Sequence, residues 1–207
     1  MHLLFDFGGV LVDLDKERCI RAFARLGFDI RPFIGTFAQA GILSQLERGE
    51  IGVSAFCDAI RQSCGQSELT DSDIVGAWED YLLEIPANRL EMLLKARQHY
   101  HVHLLSNTNP IHWAQAQSHL FRYNGHTVDD FFEKKFLSFE LGVEKPAPEI
   151  FRQVVAGIGC PANDILFFDD SEVNCEAAQK EGLQAVLAPA HGEWLKHFDE
   201  DGHLNLV

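Results

Sequence analysis

The chain has 207 residues, and its 17 Lys and Arg against 31 Asp and Glu give a formal charge of −14. Apolar residues make up 46% and charged residues 23%, the balance of a globular domain, which excludes disordered, collagenous and coiled-coil chains. So acidic a chain disfavours nucleic acid and anionic membrane as partners, and an anionic ligand would need positive charge concentrated at one local site.

The apolar run His2–Phe5 ends in Asp6 and two glycines and reads as a buried strand entering a turn. A basic leader is missing and Asp6, Asp13 and Asp15 come early, so the segment is not read as a signal peptide. Helical spacing follows over Lys16–Leu26, Ser54–Cys64 and Asp71–Leu83, the last behind a Thr70/Asp71/Ser72 capping cluster. Strand-like alternation is missing from 14 to 86, which predicts an all-helical insert. From Arg89 helices alternate with strands: helix to Gln98, strand His101–Leu105, helix from Pro148 with Gly157 and Gly159 ending it, strand Ile165–Phe168, helix Glu172–Lys180 closed by Gly182, and strand Gln184–Leu187. This rhythm predicts an α/β fold, a Rossmann-like parallel sheet flanked by helices. The expected organisation is a core of residues 1–13 and 87–207 with a small helical cap, 14–86, inserted after the first strand.

Five cysteines (Cys19, Cys57, Cys64, Cys160, Cys175) without a CxxC read as reduced thiols of a cytoplasmic protein. No apolar run reaches the ~18 residues of a membrane helix.

Four polar clusters sit where open α/β sheets place ligands. They are Asp6-Phe7-Gly8-Gly9-Val10, Ser106-Asn107-Thr108-Asn109, Glu144-Lys145-Pro146, and Asp169-Asp170 with Asn174 four residues on. Each alone reads as a cap, a turn or a surface lysine. Together they suit one chemistry: a carboxylate that attacks phosphorus, hard oxygen ligands for Mg²⁺, donors for phosphoryl oxygens, and a fixed positive charge.

In this order the clusters resemble the four motifs of the haloacid dehalogenase-like (HAD) hydrolase superfamily, and the helical insert resembles its type-1 cap. Within the insert, Glu47-Arg48-Gly49-Glu50-Ile51 resembles a segment of small sugar-phosphate phosphatases, including α-glucose-1-phosphate phosphatases. The resemblance implies Asp6 as nucleophile and Mg²⁺ ligand, with the Gly8 backbone carbonyl as a second ligand. It implies that Ser106 and Asn107 hold the phosphoryl group and that Lys145 balances charge. Asp170 would bind the metal directly, Asp169 through metal-bound water, and Asn174 would brace the loop.

One position departs from the pattern. Most phosphatases of the superfamily carry a second Asp where this chain has Gly8, and that Asp protonates the leaving oxygen. General acid–base catalysis contributes roughly 10²–10⁴-fold, so its loss needs an answer. The reading favoured here is a leaving group that needs little help, an anomeric sugar phosphate or an acyl phosphate, since relatives with Gly here include phosphatases of sugar 1-phosphates. A second is that Glu47 or Glu50 swings in, against the simpler reading of both as an exposed helix end with Gly49 as terminator. A third is a 2-haloacid dehalogenase using the same Asp, and a fourth a non-catalytic phospho-ligand binder. The expected activity is thus a Mg²⁺-dependent phosphatase acting through an aspartyl phosphate on a small phosphorylated metabolite, without a protein partner.

Other features are read conservatively. His101 and His103 share a strand face as a solvated or satisfied pair. His112 and Trp113 either line the pocket mouth or start the next helix. Phe131, Phe132 and Phe136 pack in the core, and Asp199-Glu200-Asp201 is a solvated tail.

Overall fold

The computed structural model describes residues 1–36 and 38–205. In chain order the elements are β1 (His2–Phe5), α1 (Lys16–Arg25), α2 (Gly41–Glu47), α3 (Val53–Cys64), α4 (Asp71–Glu79), α5 (Ala87–Ala96) and β2 (His101–Ser106). Then come α6 (Pro110–Gln115), a π-helical turn (Ala116–Leu120), α7 (Val128–Phe131), β3 (Lys134–Leu137), α8 (Ser138–Leu141), α9 (Pro148–Ile158), β4 (Ile165–Asp169), α10 (Glu172–Lys180) and β5 (Gln184–Leu187). All described strand pairs are parallel, in the order β3-β2-β1-β4-β5.

Two-residue periodicity explains the strands. Leu3, Phe5, Val102, Leu104, Leu166 and Phe168 pack on one face of the sheet, and Leu4, Leu105, Ile165 and Phe167 on the other. A parallel sheet covered on both faces requires such unbroken apolar runs. Phe5 stacks on Phe168 at 4.8 Å and meets Trp194 edge-on at 5.0 Å, so truncating it to Ala would cost about 3–5 kcal/mol.

Helix ends follow local chemistry. Thr70 and Asp73 form a reciprocal capping box at α4, Pro148 opens α9, and Gly159 closes it in the left-handed region. Gly157 is a correction. It lies inside α9 rather than ending it, and a β-carbon there would meet the Phe136 ring at 2.6 Å. β3 is a strand that the sequence reading passed over. The stretch from β1 to α5 holds helices and turns, with no strand among its described residues. All five cysteines are free. No described helix is long and apolar enough to cross a membrane. Asp199, Glu200 and Asp201 are exposed, yet Asp199 accepts from the His203 N–H and Lys95 donates to the Glu200 carbonyl, so the tail is a tethered turn.

Register aligns the functional ends. Phe5 pairs with Leu104 on one side and Phe168 on the other, so Asp6, Ser106 and Asp169 emerge at one carboxyl edge. β1 lies at the centre, where the chain turns to opposite sides of the sheet; open α/β folds bind ligands at this switch point.

Candidate active site

Asp6 follows β1 directly, its N–H donating to the Phe168 carbonyl at 2.9 Å. Its carboxylate accepts from the Phe7 N–H at 2.7 Å and from Lys145 Nζ at 2.7 Å. Lys145 also donates to Asp169 at 2.6 Å, and the lysine is 2% exposed. Asp169 is fully buried, and Ser171 N–H and Asn174 Nδ2 donate to its other oxygen at 2.8 and 3.0 Å. Asn174 thus braces the loop through Asp169.

Carboxyl oxygens of Asp6, Asp169 and Asp170 lie within 4.8 Å of one another. Three carboxylates against one ammonium leave an excess of negative charge in a buried site. Burial, Asp169 and Asp170 push Asp6 up, with Lys145 opposing. Burial and Asp169 push Asp170 to about 6. Burial would lower Lys145, but Asp169 and Asp6 outweigh it and hold the ammonium above its ordinary value. Hard oxygen donors in electrostatic excess are the donor set that suits Mg²⁺.

The glycines of the first motif divide their roles. At Gly9, with φ +81°, a β-carbon would fall 2.1 Å from an Asp170 oxygen, so only glycine lets that carboxylate approach. At Gly8 a β-carbon would make only ordinary contact with Leu14 at 3.5 Å, so the backbone does not demand glycine there.

Ser106 is buried at the end of β2, its hydroxyl 3.3 Å from the Asn107 carbonyl. The Asn107 side chain brackets the lysine loop, donating to the Lys145 carbonyl at 2.9 Å and accepting from the Lys145 N–H at 2.8 Å. Sequence reasoning gave Asn107 only a phosphoryl contact; its amide also positions Lys145, which leaves one N–H for the cavity.

The cavity over these groups is about 60 Å³, the space of a few waters or a phosphoryl group, and its walls include Asp6, Gly8, Glu47, Asn107, Thr108, His112, Lys145, Asp170 and Asn174. A cleft of about 440 Å³ adjoins it, sharing Leu14, Thr36, Tyr81 and Asp170 and adding Asp13, Lys16 and His191.

Two lining residues, Glu47 and Thr108, depart from the sequence reading. Glu47 is not at an exposed helix end: it is 5% exposed and faces the cavity. Glu50 is exposed, paired with Arg48 at 2.7 Å. Thr108 lines the cavity without having been singled out as a site residue. His112 does both things expected of it, lying in the first turn of α6 and lining the cavity. Its Nε2 donates to the Trp78 carbonyl at 2.9 Å and its Nδ1 accepts from Asn109 at 3.2 Å, while burial lowers it to about 4 and keeps it neutral. Away from the site, His101 is exposed beside Glu133, and His103 is buried with Nε2 3.0 Å from His2 Nδ1.

Residues 1–182 match the family model of haloacid dehalogenase-like hydrolases. The chain belongs to this family. It is 34% identical over 194 residues to a D-ribitol-5-phosphate phosphatase of Bacteroides thetaiotaomicron, covering 93% of this chain and 94% of that protein. Its fold superposes with a TM-score of 0.89 on a HAD family enzyme of the same organism solved with magnesium and inorganic phosphate, at 42% identity over 96% of this chain and 98% of that one. A HAD-like family hydrolase of Porphyromonas gingivalis gives a TM-score of 0.86 at 32% identity, over 94% of each chain. This HAD hydrolase therefore shares its fold and length with HAD family structures and nearly its whole length with a phosphatase.

Proposed function

We propose that this HAD hydrolase is a Mg²⁺-dependent phosphatase of a small phosphorylated sugar or sugar alcohol, working through an aspartyl phosphate on Asp6. The observation that carries the reading is the buried constellation of Asp6, Lys145, Asp169 and Asp170, whose excess of carboxylate suits a divalent cation beside a nucleophile. A 2-haloacid dehalogenase has no use for that excess, and a pure binder has no use for a nucleophile facing it. The phosphatase and magnesium-bound relatives support the same choice.

Asp6, Asp170 and the Gly8 carbonyl are the groups that would hold the metal, with Asp169 behind a bound water. When bound, the cation supplies charge neutralisation for phosphoryl oxygens approaching a carboxylate. The chain does the rest. Asp6 Oδ attacks phosphorus and the ester oxygen departs with its electron pair; water then attacks the aspartyl phosphate and Asp6 is regenerated. Lys145 holds Asp6 and Asp169 in place and offers positive charge to the phosphoryl group. Asn107, with its free N–H, and Thr108 line the cavity that would take its oxygens, and Ser106 would reach them only by turning its hydroxyl away from the Asn107 carbonyl. The small inner cavity takes the phosphate, the adjoining cleft the organic part, and residues 14–86 act as the cap that closes over them.

Two ester types fall within this class: an anomeric phosphate, which tolerates Gly8, and a primary polyol phosphate of the kind named for the Bacteroides relative. The test is Mg²⁺-dependent phosphate release across hexose 1- and 6-phosphates, pentitol 5-phosphates and acyl phosphates. Activity abolished in Asp6→Asn is the expected result. Activity untouched by that change removes the mechanism, and metal-independent halide release from 2-haloacids would favour dehalogenation instead.

A further inference from the structure

We propose that Glu47 is the general acid and base of this hydrolase, supplying from α2 the proton transfer that Gly8 lacks. The inference rests on the phosphatase reading above and deepens it.

Glu47 is the last residue of α2, and α2 is held at its C-terminal end by three separate contacts. Ser138 donates to the Glu47 carbonyl at 2.6 Å, while its hydroxyl also lies 2.9 Å from the Thr108 N–H and 3.0 Å from the Thr108 carbonyl. Ser44 donates to Glu144 at 3.0 Å, next to Lys145, and Arg48 donates to Ser44 at 2.5 Å. Gly49, with φ +67°, passes so close to α8 that a β-carbon would meet the Phe139 carbonyl at 2.2 Å. The carboxyl is therefore presented by a frame tied to the loops that carry Thr108 and Lys145, and it needs no swinging segment.

The side chain itself has the environment of an acid. Among the described residues nothing donates a hydrogen bond to the Glu47 carboxyl, and it shares the inner cavity with Asp6, Gly8 and Lys145. The ionisable groups around it are Glu144, Asp6, Lys145 and Tyr81. Burial raises the carboxyl above its ordinary value, with Glu144 and Asp6 adding to the rise and Lys145 opposing it.

The step balances. As the phosphorus–oxygen ester bond breaks, the departing oxygen takes the Glu47 proton and leaves as the alcohol, giving Glu47 carboxylate and the aspartyl phosphate. In the second half Glu47 takes a proton from water as the water oxygen bonds to phosphorus, and the Asp6 carboxylate departs. The acid is restored. With such a donor in place, the enzyme hydrolyses primary alkyl esters, whose leaving groups need protonation, and is not confined to anomeric ones.

The deciding experiment compares wild type with Glu47→Gln on D-ribitol 5-phosphate and on p-nitrophenyl phosphate, whose phenolate leaves without a proton. The variant should lose roughly 10²–10⁴-fold in kcat/KM on the alkyl ester while that for the aryl ester is little changed. On the aryl ester it should show a burst of nitrophenolate followed by slow turnover, because the second half-reaction still lacks its base. The alkaline fall in wild-type alkyl kcat/KM should vanish in the variant. Glu47→Asp should recover part of the alkyl activity, and Glu50→Gln, on the exposed neighbour, should change neither ester. Unaltered thermal stabilisation of Glu47→Gln by Mg²⁺ with inorganic phosphate checks that the fold and site persist. Equal losses on both esters, or none, overturn the assignment. A wild type inactive on every ester with Mg²⁺ present overturns the phosphatase reading first, a distinguishable failure.

Discussion

Replacing Lys145 by Met removes the only cation that the structure places between Asp6 and Asp169 among the described residues. Both ion pairs are short, 2.7 and 2.6 Å, and the lysine is 2% exposed, so water does not take its place. Breaking a buried ion pair by deleting one partner costs about 3–5 kcal/mol, because the other charge stays buried. Asp169 keeps donors from Ser171 and Asn174, and Asp6 keeps only the Phe7 N–H, so the loss concentrates on Asp6. The sign with pH follows. Without Lys145 the Asp6 carboxyl, already lifted by burial, rises further, so the folded variant binds more protons than the unfolded chain and gains stability as pH falls. Urea unfolding of the metal-free protein at pH 8 and pH 5.5 measures this. The deficit should be about 3–5 kcal/mol at pH 8, or roughly 6–20 °C in Tm for a domain of this size, and clearly smaller at pH 5.5. A deficit below about 1 kcal/mol at pH 8, the scale of a surface pair, or one that grows on acidification, would refute this account of Lys145.

Gly9→Ala should displace Asp170 and cost roughly 1–2 kcal/mol of backbone strain, seen as lost thermal stabilisation by Mg²⁺ with phosphate; undiminished stabilisation would show that Asp170 does not need the approach Gly9 gives it. His103 and His112 are held neutral by burial at about 4, so the unfolded chain takes up their protons first and stability falls as pH drops from about 6.5 toward 4. Each contributes up to about 1.4 kcal/mol per pH unit, and the slope should become shallower in His103→Gln; an unchanged slope places the acid sensitivity elsewhere.

Much of the core and site was legible because its signals are local. Asp6 and Asp169-Asp170 stand at the ends of apolar runs, and the parallel register of β1 and β4 brings them together, while Lys145 was legible only from its motif before α9 and is placed by the Asn107 side chain. What escaped depends on packing between distant segments. β3 is short, lies at the sheet edge and begins with two lysines, a composition that suits an exposed edge but reads as loop. Gly157 looked like a helix end because its purpose, clearance for the Phe136 ring, is tertiary. Glu47 looked exposed because it lies beside Arg48 and Gly49, and only the contacts of Ser138 and Phe139 turn the end of α2 inward. Gly9 reads from the sequence as part of a turn after β1 and proves to be room for Asp170.

The central claim is a covalent intermediate on Asp6, and it is tested most directly by trapping. Turnover with Mg²⁺ is quenched rapidly and the protein treated with borohydride, which reduces an acyl phosphate to an alcohol, before peptide mass spectrometry. The account predicts homoserine at position 6 and unmodified Asp169 and Asp170. Phosphate release without modification of Asp6, or modification at another carboxylate, would contradict it.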